Sequence, residues 1–283
     1  MQNAGLAALG LNWRYLAFAV HPDNLREAIA GAKAMKFIGL NLTVPHKLLA
    51  LEMVDVFDES AEIWGAVNTI RFEARDDDGN WRPLDHFPGE VSGEIRSHGF
   101  NTDADAIMRS LHEDLKLDVD GAKVLLLGAG GAGRTAALKL AAAGVGALFL
   151  ANRTHRKAVE LAEEIQLRFP KVTAVAAYPG NLTVDLLLNA TSLGLKAGDV
   201  SPLDEKHFSF AQAKAVYDMI YRPAETPLLQ AAKQAGCRTA NGLGMLLHQG
   251  AKALEIWSGR PAPVAVMRAA LEKNIYGGER AHV

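Results

Sequence analysis

The sequence predicts an α/β fold in two domains, the second of which is a doubly wound parallel sheet. Its 283 residues are enough for two domains of ordinary size. In the second half, apolar segments near Val124, Leu148, Val175, Leu186 and Val216 alternate with helical segments. That alternation is typical of βαβ units, which build parallel sheets.

Residues 1–103 are predicted to form the first domain, which is also α/β. Hydrophobic periodicity sets its elements. We expect, in order, a strand at 13–20, a helix at 22–35, a strand at 37–42, a helix at 47–54 and a strand at 66–73. Residues 76–80, three aspartates followed by Gly and Asn, have the turn chemistry of a β-hairpin. A helix is predicted at 103–115.

A glycine-rich loop lies in the second domain, which is predicted over residues 104–240. Gly128, Gly130 and Gly133 follow an apolar strand at 123–127 and begin an alanine-rich helix at 131–143. The first glycine permits a tight turn, the second lets a phosphate approach the backbone, and the third lets helix and strand pack closely. Free N–H groups at the helix start face an anion. The pattern predicts a Rossmann domain that binds the pyrophosphate of a dinucleotide.

Residues 241–283 are predicted to contain two helices, near 244–258 and 263–273, that return to the first domain. Ligands of doubly wound sheets bind outside the carboxyl ends of the strands. We therefore expect a cleft between the domains that is faced by Gly128, Asn152 and Asn189.

The end of the second Rossmann strand indicates which dinucleotide binds. NAD(H) calls for an acidic residue there, which binds the free ribose 2′-OH, but the sequence is Asn152-Arg153-Thr154-His155-Arg156-Lys157. A guanidinium binds a 2′-phosphate with a planar pair of donors. These cations could instead belong to a solvated helix turn, but cations are unfavourable at a helix N-terminus. NADP(H) is therefore the predicted cofactor.

Composition excludes several classes of function. The net charge is −2, which gives no electrostatic basis for binding nucleic acid or an anionic membrane. The apolar runs are shorter than a membrane span, and we expect no secretory leader from the composition of the first residues. The single cysteine, Cys237, excludes an internal disulfide and is interpreted as a packing residue. We expect a cytoplasmic protein, monomer or homodimer, with a small-molecule substrate and no metal.

The loop after the second strand presents Lys47 at the start of a helix, next to Pro45 and His46. The helix dipole opposes a cation there and favours the neutral amine. An amine in that state exchanges protons with an alcohol, as an acid/base must. A surface lysine is the alternative interpretation, and His46 is interpreted as structural.

Two further polar loops have the residue types that bind hydroxyl groups. Asp103, at the predicted boundary between the domains, could orient Lys47 and bind a substrate hydroxyl, or it could be a helix N-cap. Asn68 offers both a donor and an acceptor.

Taken together, the motifs resemble the shikimate dehydrogenase family in order and spacing over nearly the whole chain. The matching segments are Asn41-x-Thr43-Val44-Pro45-His46-Lys47, Gly65-Ala66-Val67-Asn68-Thr69, Gly99-Phe100-Asn101-Thr102-Asp103, the Gly128–Gly133 loop, Asn152-Arg153-Thr154, Asn189-Ala190-Thr191-Ser192-x-Gly194 and Gly242-Leu243-Gly244-Met245-Leu246-x-x-Gln249.

The resemblance implies reversible reduction of 3-dehydroshikimate to shikimate by NADPH, in the pathway to aromatic amino acids. It implies that Lys47 is the acid/base and that Asp103 is its partner. The implied substrate contacts are Thr43, Asn68, Asp103, Tyr221 and Gln249. The implied cofactor contacts are Gly128, Ala129, Gly130, Gly131, Ala132, Gly133, Asn152, Arg153, Thr154, Lys157, Thr191, Met219 and Gly242, with Glu59 as a weaker one.

One departure from the family concerns the first residues. Family members begin with a strand and a Gly-x-Pro-x-x-His-Ser-x-Ser-Pro turn, whose serines bind the substrate carboxylate, whereas Met1 to Leu6 resemble the helix after that turn. Either this sequence omits the segment, which we favour because the rest of the site is intact, or the chain is a natural variant.

Each of the two lost hydrogen bonds costs roughly 1.5–3 kcal/mol. We therefore expect this chain to bind shikimate at least about a hundredfold more weakly than a chain with the serine turn, and to bind NADP well. Two alternative functions remain: a quinate/shikimate dehydrogenase, and an NADP-binding dehydrogenase-like module with impaired catalysis.

Overall fold

The computed structural model describes residues 1–43, 45–87, 89, 91 and 93–277. The chain divides into two compact units. Unit 1 consists of Met1–Asp103 and Leu247–Asn274, and unit 2 consists of Ala104–Leu246 and Ile275–Val283. The sequence predicts domain bounds of 1–103, 104–240 and 241–283. Residues 278–283 lie outside the part that the structure describes.

Unit 1 is built on a mixed sheet with the strand order β1-β3-β5-β2, and β4 pairs with β3. The strands are β1 (Gly39–Asn41), β2 (Val56–Phe57), β3 (Thr69–Arg75), β4 (Trp81–Pro83) and β5 (Ile95–Phe100). Strand β3 is antiparallel to β1, β4 and β5. Its residues Ile70, Phe72 and Ala74 belong to one hydrophobic core with Leu25 and Ile29.

Helices accompany this sheet, and those at 25–34 and 59–64 contribute Leu25, Ile29, Ala32 and Ala61 to its core. In unit 1 they are α1 (Gln2–Ala8), α2 (Leu25–Ala34), α3 (His46–Leu49) and α4 (Glu59–Trp64), with most of α9 (Leu243–Ser258) and α10 (Val264–Tyr276). A short 3-10 turn, Pro22–Asn24, precedes α2, and another, Ala50–Glu52, follows α3. The helix predicted at 47–54 is therefore one α-helical turn continued as a 3-10 turn.

Unit 2 contains, within the described residues, a six-stranded parallel sheet of order β11-β10-β9-β6-β7-β8. The strands are β6 (Lys123–Leu127), β7 (Ala147–Ala151), β8 (Thr173–Val175), β9 (Leu186–Asn189), β10 (Ala215–Asp218) and β11 (Arg238–Asn241), and the helices between them are α6 (Gly131–Ala142), α7 (His155–Arg168) and α8 (Pro227–Gln234), with α5 (Asp103–Leu115) before β6. The chain runs from β6 outward to β8 and returns to β9 on the other side of β6. The prediction of an α/β fold with a doubly wound parallel sheet is confirmed.

The strand predicted at 13–20 is wrong. No secondary structure is assigned to these residues, and Leu16 and Phe18 are largely exposed. The backbone N–H and C=O of Tyr15 bond to the side chain of Asn3, and the carbonyl of Val20 contacts the His46 ring. Alternating apolar residues form a strand only where a neighbouring strand takes up the backbone hydrogen bonds, and in the described residues this segment has no such neighbour.

Gly39 allows one close contact that holds strand β1 against helix α9. A Cβ on Gly39 would overlap both the indole nitrogen of Trp257 and the carbonyl oxygen of Ile70. That indole N–H donates to the Ile70 carbonyl at 2.9 Å. Only a glycine leaves room for this buried bond.

We predict that Gly39→Ala lowers the free energy of unfolding by about 2–4 kcal/mol, because it combines overpacking with loss of the indole hydrogen bond. The matched control is Gly31→Ala in helix α2, where a Cβ meets open space. The control should raise stability by about 0.5–1 kcal/mol, since alanine is the better helix former. Urea unfolding followed by tryptophan fluorescence measures both variants. Equal, small effects would show that the contact around Trp257 is not tight.

Candidate functional site

Lys47 and Asp103 form an ion pair in unit 1. Lys47 is the second residue of α3, and its Nζ lies 2.7 Å from Oδ2 of Asp103, the first residue of α5. The two side chains are 25% and 10% exposed, so the pair is shielded but reachable by solvent. Helix α3 has a single turn, which makes its dipole weak. The described group in contact with the amine is therefore the Asp103 carboxylate, and this contact, rather than the helix dipole considered from the sequence, fixes the position of the amine.

Asn68 connects the other polar loops of unit 1. It is 1% exposed, and its Nδ2 donates to Oγ1 of Thr102 at 3.0 Å and to Oε1 of Gln249 at 3.3 Å. Its Oδ1 accepts from the backbone N–H of Thr102 at 2.9 Å. Its backbone carbonyl accepts at 2.8 Å from the N–H of Leu42, which precedes the loop that carries Lys47. One amide thus ties together segments that lie far apart in the sequence.

Two asparagines of the motifs, Asn101 and Asn41, also build this site through their side chains. Nδ2 of Asn101 donates to the carbonyl of Ala66, and its Oδ1 accepts from the N–H of Asp103, both at 3.0 Å. Asn101 therefore satisfies the first backbone N–H of α5, and the Asp103 carboxylate pairs with Lys47. Asn41 donates from Nδ2 to Oγ1 of Thr69 at 3.0 Å. Both asparagines lie inside the recognised motifs, but only the fold gives their partners.

Three predicted site residues, Thr43, Glu59 and Tyr221, are exposed. Thr43 is exposed and its carbonyl accepts from the His46 N–H at 2.8 Å, while its neighbour Val44 lies outside the described residues. Glu59 is the exposed first residue of α4 in unit 1. Tyr221 belongs to unit 2; its side chain is 37% exposed and its carbonyl accepts from the hydroxyl of Tyr276.

The glycine loop of unit 2 has the shape that a dinucleotide requires. Gly128 has φ +103°, and a Cβ there would approach Thr191 at 3.0 Å. A Cβ on Gly133 would overlap the carbonyl of Gly128, whereas Gly130 and Gly131 face open space. Gly130 is the N-cap of α6 and provides no side-chain cap, so the first N–H groups of the helix remain available to an anion. The loop, including Ala129 and Ala132, fits a pyrophosphate.

The segment after β7 presents positive charge next to this loop. Oδ1 of Asn152 accepts from the N–H of Ala129 at 3.0 Å, which fixes the two loops to each other. Helix α7 begins at His155, with Thr154 as an N-cap that makes no side-chain bond and with no acidic residue in its first turn. Arg153 and Lys157 are exposed. Two cations at an uncapped helix start suit a phosphate better than a neutral hydroxyl.

The loops after β9, β10 and β11 pack closely against one another. Oδ1 of Asn189 accepts from both the N–H and the hydroxyl of Thr191, at 2.9 and 2.8 Å. A Cβ on Gly242 would overlap the carbonyl of Met219, and the N–H of Gly242 donates to the carbonyl of Ile220. Thr191, Met219 and Gly242 therefore border one region at the carboxyl ends of these strands.

Other chemistries have less support in the structure. Burial raises the pKa of the Cys237 thiol, which donates to the carbonyls of Phe210 and Ala213. Over the described residues, no group of three or more His, Cys, Asp and Glu side chains could hold a metal ion. In the same part of the chain, no helix is both long and apolar enough to span a membrane.

Three family models match the chain, over more than half of its length. The model of the shikimate dehydrogenase substrate binding domain matches residues 1–70. The model of shikimate / quinate 5-dehydrogenase matches residues 110–193. The model of the shikimate 5′-dehydrogenase C-terminal domain matches residues 242–272.

Individual proteins are similar over the whole chain. A shikimate dehydrogenase (NADP(+)) of Methanopyrus kandleri is 38% identical over 285 residues, which cover 97% of this chain and 90% of the relative. The structure of shikimate 5-dehydrogenase from Thermus thermophilus, in complex with NADP(H) and shikimate, has a TM-score of 0.77 and 33% identity, covering 96% and 92% of the two chains. A ligand-free 5-ketofructose reductase of a Gluconobacter strain has a TM-score of 0.78 and 34% identity, with the same coverage.

Proposed function

Because the chain belongs to the shikimate dehydrogenase family, we propose that it catalyses the reversible reduction of 3-dehydroshikimate to shikimate with NADPH. The observation that supports this most directly is the Lys47–Asp103 ion pair beside the Asn68 network in unit 1. Unit 2 offers a glycine loop and an uncapped, basic helix start that suit the cofactor. We assign the substrate to unit 1 and the cofactor to unit 2.

Lys47 acts as the proton donor and acceptor. NADPH supplies a hydride to the ketone carbon, and the Lys47 ammonium gives a proton to the ketone oxygen. In the reverse direction the neutral amine removes the proton from the hydroxyl group. Asp103 holds the Lys47 side chain in place, and the 25% exposure of Lys47 lets solvent restore its proton. Placed acids and bases of this kind contribute on the order of 10²–10⁴-fold to a rate.

Polar side chains give the site its selectivity. Shikimate has several hydroxyl groups, which need partners that both donate and accept. Asn68, Asp103 and Gln249 are held by a shared set of loops in unit 1. Thr43 completes the proposed contacts in this unit, and a contact from Tyr221, which belongs to unit 2, stays a prediction from the sequence. A site built to bond hydroxyl groups rejects analogues that lack them, because its buried polar groups are left without partners.

The cofactor contacts follow the glycine loop and its neighbours. Backbone N–H groups of residues 128–133 bind the pyrophosphate, and Arg153 with Thr154 and Lys157 binds the 2′-phosphate. Thr191, Met219 and Gly242 border the nicotinamide. Asn152 contacts the cofactor next to the glycine loop, to which it is bonded through the N–H of Ala129. Glu59 remains a weaker cofactor contact from unit 1.

The substrate assignment is tested by measuring kcat/KM with four pairs of reactants: shikimate with NADP, shikimate with NAD, quinate with NADP, and 5-ketofructose with NADPH. We expect shikimate with NADP to exceed each of the others by at least about tenfold, since 2′-phosphate binding favours NADP over NAD and the similar curated proteins are shikimate dehydrogenases. A preference for quinate or 5-ketofructose would contradict the proposed substrate. NADP binding with no turnover of any substrate would support a binding module instead.

The cofactor assignment is tested with Arg153→Ser. Loss of a charge-assisted bond to the 2′-phosphate should weaken NADP binding about 10–100-fold, while NAD binding stays within about twofold. The matched control is Arg168→Gln, at the opposite end of helix α7, where Arg168 pairs with Glu164. Calorimetric dissociation constants for both cofactors measure the effect. If Arg153→Ser weakens NADP and NAD equally, Arg153 does not read the 2′-phosphate.

A further inference from the structure

A buried carboxyl group lies at the carboxyl end of strand β10, and the proposed reaction does not use it. Asp218 is fully buried and is the register neighbour of Asn189 at the end of β9. Its Oδ1 accepts from Nδ2 of Asn189 at 2.9 Å and from the N–H of Ile220 at 3.0 Å. Its Oδ2 accepts from the hydroxyl of Thr226 at 2.6 Å.

All three of these donors are neutral. Among the residues that the structure describes, no lysine, arginine or histidine forms an ion pair with Asp218. Burial raises the pKa of Asp218, and the three hydrogen bonds oppose that shift. A buried anion with neutral partners is costly unless a cation comes near it. The negative charge of Asp218 is therefore stabilised by neutral donors only, among the residues that the structure describes.

The sheet topology indicates which ligand group comes near Asp218. The strand order reverses between β6 and β9, and a dinucleotide lies across the carboxyl ends at such a point. The glycine loop after β6 takes the pyrophosphate, and the basic segment after β7 takes the adenosine side. The nicotinamide end therefore falls over β9 and β10, whose last residues are Asn189 and Asp218.

We infer that the Asp218 carboxylate favours the oxidised, positively charged nicotinamide over the reduced, neutral one. This inference rests on the proposed function, because it requires NADP(H) on unit 2. Asp218 acts through its electric field, since Asn189, Ile220 and Thr226 occupy its oxygens. The same field stabilises the positive charge that develops on the ring as the hydride leaves.

A purely structural role is the competing explanation. Through Asn189, Asp218 supports the loop that carries Thr191, and through Thr226 it supports the N-cap of helix α8. The variant Asp218→Asn separates the two explanations because it has nearly the same shape. Its amide oxygen can accept from Asn189 and Ile220, and its amide nitrogen can donate to the Thr226 hydroxyl, which then serves as acceptor.

The test measures dissociation constants of NADP⁺ and NADPH for the wild type and for Asp218→Asn. We expect NADP⁺ to bind about tenfold more weakly to the variant, because it loses one partly screened charge–charge attraction. NADPH should change by less than about twofold. If both forms weaken equally, or neither changes, Asp218 is structural and the inference is overturned.

A second variant keeps the test valid if Asp218→Asn does not fold. Asp218→Ser also removes the charge, and its smaller side chain needs fewer partners, so NADP⁺ should again bind about tenfold more weakly while NADPH changes by less than about twofold. Equal changes for both forms, or no change, in folded Asp218→Ser contradict the inference alone. A wild-type protein that binds neither cofactor form contradicts the proposed function and the inference together.

Discussion

The buried side chain of Asn68 is the constraint on which the arrangement of unit 1 depends. Its side chain bonds to Thr102, in the loop before α5, and to Gln249, in α9. Its backbone carbonyl accepts from the N–H of Leu42, which precedes the loop that carries Lys47. A buried amide that loses its partners costs about 1–3 kcal/mol for each orphaned group. These segments therefore keep a fixed arrangement, and Lys47 meets Asp103 because of it.

In unit 2, close backbone approach brings the loops together, alongside the buried hydrogen bonds of Asn189 and Asp218. Overlap with the Gly128 carbonyl excludes a side chain at Gly133, and overlap with the Met219 carbonyl excludes one at Gly242. These approaches bring the loops at the ends of the parallel strands close together, while the N–H groups at the start of α6 stay available. The two units therefore have different proposed roles. Unit 1 supplies polar side chains and a proton to the substrate, and unit 2 supplies backbone donors and cations to the cofactor.

Local patterns in the sequence predict much of this structure. Helix α5 is predicted at its observed bounds, and the glycine loop has its predicted strand and helix. Pairing between distant segments is not encoded locally, so alternation at 13–20 predicts a strand that the structure lacks. The same limit applies to the site. The motif identifies Lys47 and Asp103, but the capping role of Asn101 and the buried position of Asp218 depend on neighbours far away in the chain.

Chemical rescue of Lys47→Ala is the most direct test of the proposed acid/base. The variant should lose about 10²–10⁴-fold in kcat for shikimate oxidation and keep its affinity for NADP. Added methylamine should then restore turnover in proportion to its concentration, since it replaces the missing amine. Lys33→Ala, which removes a lysine paired with Asp55 in the same unit, should be active and indifferent to methylamine. Wild-type turnover by Lys47→Ala, or a folded and inactive variant that no amine restores, would contradict the role of Lys47.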